Sequence, residues 1–423
     1  MRIQSLSVSR YRSLRDAVLR PDRLTVLVGP NNAGKTNVVE AIDFLGDSYR
    51  YGLEIAISRK GGYENVALRR QRRTKAPLAF TVTGQIPLSD VRRASPGRTL
   101  PPGLTRNSLL TITHHFSISA RRSLDSDYKV ETETFQVALT DNGEHPLVDI
   151  ARTPSSQLDV KLGPGADSSF WREVIYPLND PQVRTRLQPA DTELFAASRS
   201  FYVGPIIAQF TRDLGSTRAF QVAPPAAREA GVSTPAPDLG RHGQNLPGFI
   251  RFMRKNSTAW DQVMSVMRRV VPNLDDIRPG FTSDRRLALR FYEEGLSRPW
   301  SSEEISDGTL RSLALLATLF DPRSRLTLVE EPENSLHPWV IRQFVEACRQ
   351  VRDKQVILTT HSPTLLDCLE PHEVVVVSRE DGYTRLRRLS DLAPETVGLW
   401  RDGTAKLSEM LDAGLVPQAA PMA

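Results

Sequence analysis

Residues 29–36 read GPNNAGKT, with Gly29 and Gly34 followed at once by Lys35 and Thr36. An apolar run at 24–28 precedes this turn and a helix-like pattern follows it, which is the context that the phosphate-loop pattern G-x-x-x-x-G-K-[ST] requires. Glycines let the backbone curl so that its N–H groups point inward around phosphate oxygens, and the positive end of the following helix adds to the attraction. The turn is therefore predicted to hold a nucleoside triphosphate.

The two residues that close the motif have different expected roles. Lys35 can reach the β- and γ-phosphates, and Thr36 can offer its hydroxyl to Mg²⁺. The expected cofactors are accordingly ATP and Mg²⁺. The residues of this stretch predicted to line the nucleotide are Gly29, Asn31, Asn32, Gly34, Lys35, Thr36 and Asn37.

A second chemical signal is the stretch LTLVEEPENSLHP at 326–338, where a four-residue apolar strand ends in two carboxylates. Adjacent side chains at the end of a strand point in different directions, so the two carboxylates can do different work. Glu330 could hold the magnesium ion through its water shell, and Glu331 could polarise an attacking water. A solvated acidic turn is the alternative interpretation.

The stretch QVILTTHSPTLLD contains another apolar strand, 356–360, that ends at His361. Ligands bind at the carboxyl ends of parallel strands in open α/β sheets, so a histidine there is a candidate for the γ-phosphate. A lone histidine in this position is more often structural, and the order of the motifs favours the phosphate role.

The stretch ISDGTLRSLALLATLF at 305–320 predicts a helix that is apolar almost all round and therefore buried. Ser306 and Asp307 are good N-cap residues. The functional interpretation, compatible with capping, is that Ser306 and the backbone of Gly308 approach a phosphate at the start of this helix.

The elements that must position these residues follow from periodicity. Short strands are expected at 3–8 and 24–28, a helix at 34–45, and alternating antiparallel strands at 78–84, 109–118 and 130–140. His114 and His115 are neighbours on a strand and point to opposite faces, so we expect them to be structural. From about 141 to 240 the chain is rich in Pro, Ser, Gly and Asp, and QVAPPAAREAGVSTPAPDLG at 221–240 is interpreted as a loop or linker. Beyond 300 helices alternate with apolar strands, which indicates parallel α/β structure.

Composition narrows the class of protein. The chain has 423 residues, a net charge of +6 and two cysteines, Cys348 and Cys368, which we expect to be buried thiols in a reducing cytoplasm. No apolar run reaches about 18 residues and the N-terminal stretch lacks an apolar signal core, so neither a membrane span nor a secretory signal is expected. The most basic stretch, ALRRQRRTK at 67–75, is either a solvated loop or a contact for a phosphate backbone.

The order GPNNAGKT, SDGT, EEPENSLHP and TTHS resembles that of ABC-type ATPases. Within them it is similar to the stand-alone AAA family ATPases related to RecF, to the heads of structural-maintenance-of-chromosomes proteins and to the overcoming-lysogenization-defect nucleases. The resemblance implies an α/β P-loop NTPase of the ABC-ATPase head type, with a mixed sheet, an antiparallel β subdomain and an inserted helical region. It also implies a homo-oligomer in which two heads sandwich two ATP molecules.

The same resemblance assigns roles to single residues. The stretch ISDGT matches the signature motif, which in such proteins meets the ATP of the opposite subunit. Glu331 matches the catalytic glutamate and His361 the switch histidine. Arg12 matches a basic position that contacts nucleotide in some relatives, and Gln209, expected to follow a strand at FYVGPI, is the candidate for the metal-binding glutamine of the Q-loop.

Two acidic residues depart from the family pattern. Glu330 stands where most ABC proteins have aspartate, and one extra methylene should still reach a magnesium-bound water. Asp307 replaces the first glycine of the usual signature pair and adds negative charge near a phosphate. The stretch after His361 lacks a further acidic cluster followed by D-x-D, so no fused Toprim nuclease domain is expected.

The predicted organisation is an N-terminal lobe of the ATPase head at 1–140, a linker with helical and strand insertion at 141–300, and a C-terminal lobe at 301–423. The leading hypothesis is a cytoplasmic ATPase whose nucleotide state is coupled to DNA or to an effector protein, such as a nuclease on a separate chain, in DNA maintenance or anti-phage defence. The alternatives are the ATPase subunit of a membrane transporter, which the long insert before SDGT disfavours, and a small-molecule P-loop enzyme, which would not need SDGT or His361.

If the basic stretch contacts DNA, affinity should fall as salt rises, because bound phosphates release counterions. Reversing the charges of Arg69, Arg70, Arg72 and Arg73 should then weaken binding and flatten its salt dependence in fluorescence anisotropy titrations. Unchanged affinity after charge reversal would place the DNA contact elsewhere on the protein.

Overall fold

The computed structural model describes residues 1–68, 76–93, 104–105, 107–121, 127–140, 145–164, 171, 189–197, 204–235 and 237–416. The basic stretch singled out above lies largely outside these residues, since 69–75 are not among them. Contacts divide the chain into two compact units. The first unit comprises Met1–Pro21, Asn37–Thr217 and Arg379–Leu386, and the second comprises Asp22–Thr36, Arg218–Ser378 and Arg387–Ala423. Both units are assembled from separate stretches, and the three-lobe division stays a prediction.

The described strands, in chain order, are β1 Arg2–Tyr11, β2 Leu14–Leu19, β3 Leu24–Val28, β4 Leu78–Pro87, β5 Leu109–Ala120, β6 Tyr128–Leu139, β7 His145–Arg152, β8 Leu158–Leu162, β9 Arg218–Phe220, β10 Leu274–Phe281, β11 Leu287–Glu293, β12 Trp300–Ser301, β13 Leu326–Glu330, β14 Gln355–Thr359, β15 Val374–Glu380 and β16 Tyr383–Arg388.

The described α-helices are α1 Lys35–Tyr51, α2 Leu53–Arg59, α3 Tyr63–Val66, α4 Leu88–Arg93, α5 Gly204–Gly215, α6 Pro224–Arg228, α7 Leu246–Met253, α8 Ser257–Val270, α9 Asp307–Phe320, α10 Pro338–Gln350, α11 Pro363–Leu366, α12 Leu389–Leu392, α13 Pro394–Arg401 and α14 Leu407–Asp412. Short 3₁₀ helices occupy Phe195–Ala197 and Pro371–Glu373. Among the described residues, no helix combines the length and the apolar composition that crossing a bilayer demands.

The first unit is built on an antiparallel run in the order β8-β7-β6-β5-β4-β1-β2, with β16 added parallel to β2. Its strands alternate buried and half-buried residues, as the ten residues of β4 do throughout, because one face packs on the core. The strands predicted at 3–8, 78–84, 109–118 and 130–140 are confirmed. Strands β7 and β8 fall in the stretch rich in Pro, Ser, Gly and Asp, where the sequence predicts no individual strand.

The core of the first unit contains stacked aromatic rings and one buried polar cluster. The ring centroids of Phe80 and Phe116 lie 5.4 Å apart, and Phe44 from α1 packs against Phe80 at 5.6 Å. His114 faces this core and is fully buried, whereas His115 is half-buried on the other face and bonds to Thr81. The two histidines therefore point to opposite faces, as predicted.

The polar cluster is organised around Glu133 of β6, which has no exposed surface. Arg152 of β7 donates to Glu133 Oε2 over 2.9 Å, and His114 Nε2 lies 3.2 Å from Oε1. The backbone N–H groups of Phe195 and Ala196 also donate to this carboxylate, over 2.9 and 3.2 Å. A buried charge is tolerated because it is paired and hydrogen-bonded, and here it also fixes the 3₁₀ turn.

The second unit contains a run of five parallel strands in the order β15-β3-β14-β13-β9 and a separate antiparallel sheet, β10-β11-β12. Every residue of β3, β13 and β14 is buried, as is usual for parallel strands covered on both faces. Helix α9 is buried from Leu310 to Phe320, which confirms the all-round apolar helix predicted from the sequence. The α/β class, with a mixed sheet and an antiparallel subdomain, is therefore confirmed.

We expect Arg152→Met to lower the free energy of unfolding by about 3–5 kcal/mol, because it leaves the carboxylate of Glu133 buried without its cation. Chemical denaturation monitored by circular dichroism measures the loss. Lys161→Met is the control, since Lys161 and Asp159 form an exposed pair at 3.7 Å and such pairs contribute little. Equal losses for the two variants would contradict the special role of the buried cluster.

Candidate functional site

The phosphate-loop residues of the second unit form a tight turn at the end of β3. Strand β3 ends at Val28, helix α1 begins at Lys35, and the turn lies between them. A Cβ atom on Gly29 would lie only 2.0 Å from the carbonyl oxygen of Val377 on β15, so no other residue fits there without moving backbone. The loop is thus packed directly against the neighbouring strand, while Asn31, Asn32 and Thr36 are exposed.

Lys35 folds back into this loop. Its Nζ donates to the carbonyl oxygens of Gly29 and Pro30 over 2.8 and 3.1 Å, and the residue is only 8% exposed. Burial lowers the pKa of Lys35 to about 8, although the charge of Glu331 opposes this shift. A buried ammonium beside a ring of backbone groups suits a polyanion, because bound phosphates would stabilise the charged form.

The paired carboxylates at the end of β13 point in different directions, as expected. Glu330 is 5% exposed, and its Oε1 accepts a hydrogen bond from Arg241 over 2.7 Å. Glu331 Oε2 accepts from the amide of Asn334 over 2.8 Å. The solvated-turn alternative therefore does not describe Glu330, since this carboxylate is buried and ion-paired.

Glu331 has a backbone conformation that is rare for a residue with a side chain, with a φ of 46°. Its N–H donates to the carbonyl oxygen of Thr359 over 3.0 Å, and its own carbonyl accepts from the guanidinium of Arg311 over 2.7 Å. Left-handed residues of this kind cluster at functional sites, where the surrounding structure holds the strain. The backbone of Glu331 is therefore held on both sides, and the hydrogen bond from Asn334 orients its carboxylate.

His361 follows β14 after one intervening residue. Its side chain is exposed, and its backbone N–H donates to Glu333 Oε1 over 3.2 Å. The same Glu333 oxygen accepts from the hydroxyl of Thr360 over 2.6 Å, so Glu333 holds the turn that presents the histidine. Partial burial and the nearby charge of Lys35 lower the pKa of His361, which makes the neutral imidazole the main form at pH 7.

The register of three strands brings these motifs to one edge. Leu358 of β14 pairs with Val26 of β3 on one side and with Val329 of β13 on the other. All three strands run in the same direction, so their carboxyl ends lie together, as ligand-binding edges of α/β sheets do. The charge of Glu331 acts on the pKa of both Lys35 and His361, and the charge of Lys35 acts on that of His361, so the three side chains lie near one another.

Ser306 and Gly308 lie at the start of α9, where the structure shows them in contact with other protein groups. Ser306 Oγ accepts from the N–H of Thr309 over 3.2 Å, which confirms its capping role. A Cβ on Gly308 would lie 2.9 Å from the carbonyl oxygen of Ser335, in the loop after Glu331. Asp307 pairs with Arg228 over 2.9 Å, so its charge has a counter-ion. A phosphate role for Ser306 and Gly308 stays a prediction.

Arg12, Asn37 and Gln209 belong to the first unit, and their contacts lie within it. Arg12 Nε donates to the carbonyl oxygen of Asn65 over 3.4 Å, and Asn37 Nδ2 donates to Ser13 Oγ over 2.7 Å. Gln209 Nε2 donates to Asp213 over 2.9 Å. Gln209 lies in the helix Gly204–Gly215, so the strand expected at FYVGPI is contradicted for its last three residues, and 201–203 lie outside the described residues. The nucleotide and metal roles of these three residues stay predictions.

Sequence reasoning missed the polar residues that follow β9. This strand has only three residues, yet it pairs in parallel with β13, with Phe220 opposite Val329. The next residue, Gln221, has an exposed side chain and donates its N–H to the carbonyl oxygen of Arg241 over 2.8 Å. The sequence contains no clear signal for this residue, because β9 is too short to leave a pattern, whereas the structure places Gln221 directly after the strand beside β13.

The donor set at this edge fits a magnesium nucleotide. Mg²⁺ is usually bound by one or two protein oxygens together with substrate phosphates. Glu330 supplies a buried carboxylate and Thr36 an exposed hydroxyl at the first turn of α1. Among the described residues, no group of three or more His, Cys, Asp and Glu side chains could hold a metal ion.

The family described as "AAA domain, putative AbiEii toxin, Type IV TA system" matches residues 24–367, which include the phosphate loop, both carboxylates and His361. The chain belongs to this AAA-domain family. ATP binding is a property of the family, and hydrolysis is implied by it.

Two curated proteins are similar in sequence to this AAA-domain protein. An OLD nuclease from Thermus scotoductus is 24% identical over 398 residues, which cover 91% of this chain and 63% of the nuclease. The DNA replication and repair protein RecF from Beutenbergia cavernae is 36% identical over 110 residues, covering 22% of this chain and 28% of RecF. The chain therefore spans less than two thirds of the length of either relative.

The fold is shared with a solved structure of an SMC head. An SMC head bound to the C-winged helix domain of ScpA aligns with 92% of this chain and 98% of its own, at a TM-score of 0.50 and 12% identity. This likeness shows the fold alone, and it confirms the head-type P-loop fold expected from the motifs. The AAA-domain protein is thus a P-loop ATPase with an SMC-head-like fold, and its sequence is distantly similar to OLD nuclease and RecF.

Gly29→Ala should destabilise the second unit by about 1–3 kcal/mol, because the new methyl group meets backbone rather than a flexible side chain. It should also abolish the rise in melting temperature that ATP gives the wild-type protein. Gly398→Ala on α13 is the matched control, since a methyl group added there would have no atom within 4 Å. A Gly29→Ala protein with wild-type stability and ATP response would show that the loop is not built around this contact.

Proposed function

We propose that this protein is a Mg²⁺-dependent ATPase that dimerises around ATP and couples its nucleotide state to DNA or to a separate effector protein. The observation that carries the proposal is the shared register of β3, β14 and β13, which supports one site formed by the Gly29 loop, the Glu330–Glu331 pair and His361. Three elements far apart in the chain then serve a single triphosphate.

In this proposal, the backbone N–H groups of the loop and the ammonium of Lys35 bind the phosphates. When bound, Mg²⁺ neutralises charge that develops on the β- and γ-phosphate oxygens. Thr36 and Glu330 are the side chains that would hold it, and Gln221 is a further candidate. Glu331 orients the attacking water and accepts its proton, while the neutral imidazole of His361 donates a hydrogen bond toward the γ-phosphate.

The dimer is proposed from the signature stretch. Ser306 and Gly308, with the first N–H groups of α9, would face the phosphates of a partner head, because a helix N-terminus attracts anions. The cap of Ser306 on Thr309 is compatible with this role, since a hydroxyl can exchange partners. Asp307 would be less repulsive there than its charge suggests, because Arg228 pairs with it.

The partners are proposed from the relatives. One relative is named a nuclease and another a DNA replication and repair protein, and the aligned SMC head is bound to ScpA. These names support a protein that acts in the cytoplasm in DNA maintenance or anti-phage defence, through DNA itself or through an effector such as a nuclease on a separate chain.

Glu331→Gln should bind ATP with near wild-type affinity, lose at least about 100-fold in hydrolysis rate and accumulate an ATP-bound dimer, because it keeps the shape of the site but removes the proton acceptor. Phosphate release gives the rate, and size-exclusion chromatography with light scattering, with and without ATP, gives the mass. Wild-type hydrolysis by this variant would remove Glu331 as the base.

Lys35→Ala is the companion variant, because it removes the charge inside the loop and should abolish both ATP binding and the ATP-dependent dimer. Unchanged nucleotide affinity in this variant would refute the proposed site itself. Dimerisation of Lys35→Ala in the presence of ATP would show that association does not depend on the bound nucleotide.

A further inference from the structure

Glu330 has a cationic partner within its own unit. The guanidinium of Arg241 lies 2.7 Å from Glu330 Oε1, and the two side chains are 28% and 6% exposed. Because Arg is charged at every relevant pH, this carboxylate already has a fixed positive neighbour. The same carboxylate is the one proposed above to hold the metal.

Backbone hydrogen bonds that connect the Arg241 loop to the sheet hold Arg241 in position. Its carbonyl oxygen accepts from Gln221, and the carbonyl of His242 accepts from Ala223 over 3.0 Å, so the 241–242 backbone pairs with the residues that follow β9. Strand β9 in turn pairs with β13, which ends at Glu330. Two successive sets of backbone hydrogen bonds, one between 241–242 and the residues after β9 and one between β9 and β13, therefore position the Arg241 side chain beside Glu330.

Two cations at one buried carboxylate interact unfavourably. A guanidinium fixed on Glu330 stabilises the charged carboxylate when no metal is bound, because a buried charge without a partner is costly. A divalent ion approaching the same carboxylate is repelled by that guanidinium, and the repulsion is strong where water is scarce. Metal binding must then displace Arg241 or work against its charge.

We propose that Arg241 is a positioning residue that competes with the divalent cation for Glu330 and thereby sets the Mg²⁺ concentration at which the metal–nucleotide complex forms. The inference rests on the proposed function, since it takes Glu330 as a metal-holding side chain. It assigns to Arg241 an effect on the metal dependence of binding, distinct from any general effect on folding.

The test is a Mg²⁺ titration of binding to a fluorescent ATP analogue, with the wild-type protein and Arg241→Gln. The variant should lower the Mg²⁺ concentration for half-maximal binding by about tenfold, because the competing charge is gone. In a Glu330→Gln background the same change should give no shift. Arg298→Gln is the matched control, since Arg298 and Glu304 form an exposed pair at 2.6 Å, and its midpoint should equal that of the wild type.

A second measurement separates this inference from the proposed function. Binding of Mn²⁺ without nucleotide, followed by electron paramagnetic resonance, should be tighter in Arg241→Gln than in the wild type. If the wild type binds no nucleotide at any Mg²⁺ concentration, the proposed function fails and the Mn²⁺ comparison alone decides the role of Arg241. Equal Mn²⁺ affinities of Arg241→Gln and the wild type would overturn the proposed role of Arg241.

Folding is controlled with a milder variant. Arg241→Lys keeps a positive charge but loses the planar fork that matches a carboxylate, so its Mg²⁺ midpoint should fall by only about threefold. If Arg241→Gln does not fold, as judged by circular dichroism, Arg241→Lys carries the test. A midpoint that stays the same, or rises, in the folded variants would overturn the proposal.

Discussion

The site depends on the register of three buried parallel strands. β3, β14 and β13 are held by backbone hydrogen bonds in which Val26, Leu358 and Val329 lie side by side. Because side chains alternate with a period of two, a slip of one residue would turn every side chain of a strand to the other face. Both faces of all three strands are buried, so such a slip would require the closely packed core to repack on both sides. The lateral alignment of the Gly29 loop, Glu331 and His361 is therefore a consequence of packing in the second unit.

The elements that could be predicted from the sequence are those with a strong local signal. The phosphate loop has fixed residues at fixed spacing, and the apolar strands before Glu330 and His361 end sharply in polar residues. β9 could not be found in this way, because a strand of three residues has too short a pattern. The prediction of Gln209 rests on its place after FYVGPI, yet this residue lies in a helix, whereas Gln221 follows the strand beside β13.

Arg241 could not be predicted for a different reason. It lies in a polar loop, 89 residues from Glu330 in the chain, and nothing in its local sequence indicates which carboxylate it reaches. The pairing depends on the backbone bonds between Gln221 and Arg241, which are long-range consequences of the sheet. Strands β7 and β8 were missed because Pro, Ser, Gly and Asp around them are also typical of linkers.

Asp307 and Glu330, the two acidic residues that depart from the family pattern, each pair with an arginine, but the two pairs differ in exposure. The side chains of Arg228 and Asp307 are 26% and 54% exposed, and solvent screens a pair of this kind. Arg228 also donates to the carbonyl oxygens of Ser302 and Ile305, so its main effect is to fix the turn before α9. Glu330 is buried, so its negative charge needs the pairing with Arg241 more than the exposed Asp307 needs its pairing with Arg228.

Helix α9 contacts Glu331, the proposed base, and has at its start the residues proposed to face the phosphates of a partner head. Its first turn carries Ser306 and Gly308, and one turn later the buried Arg311 donates to the carbonyl oxygen of Glu331. A left-handed φ at a residue such as Glu331 costs about 1–3 kcal/mol and persists only where neighbours hold it. Arg311 and the carbonyl of Thr359 are those neighbours, one from the helix and one from β14. The left-handed conformation of Glu331 is therefore maintained in part by the same helix that has Ser306 and Gly308 at its start.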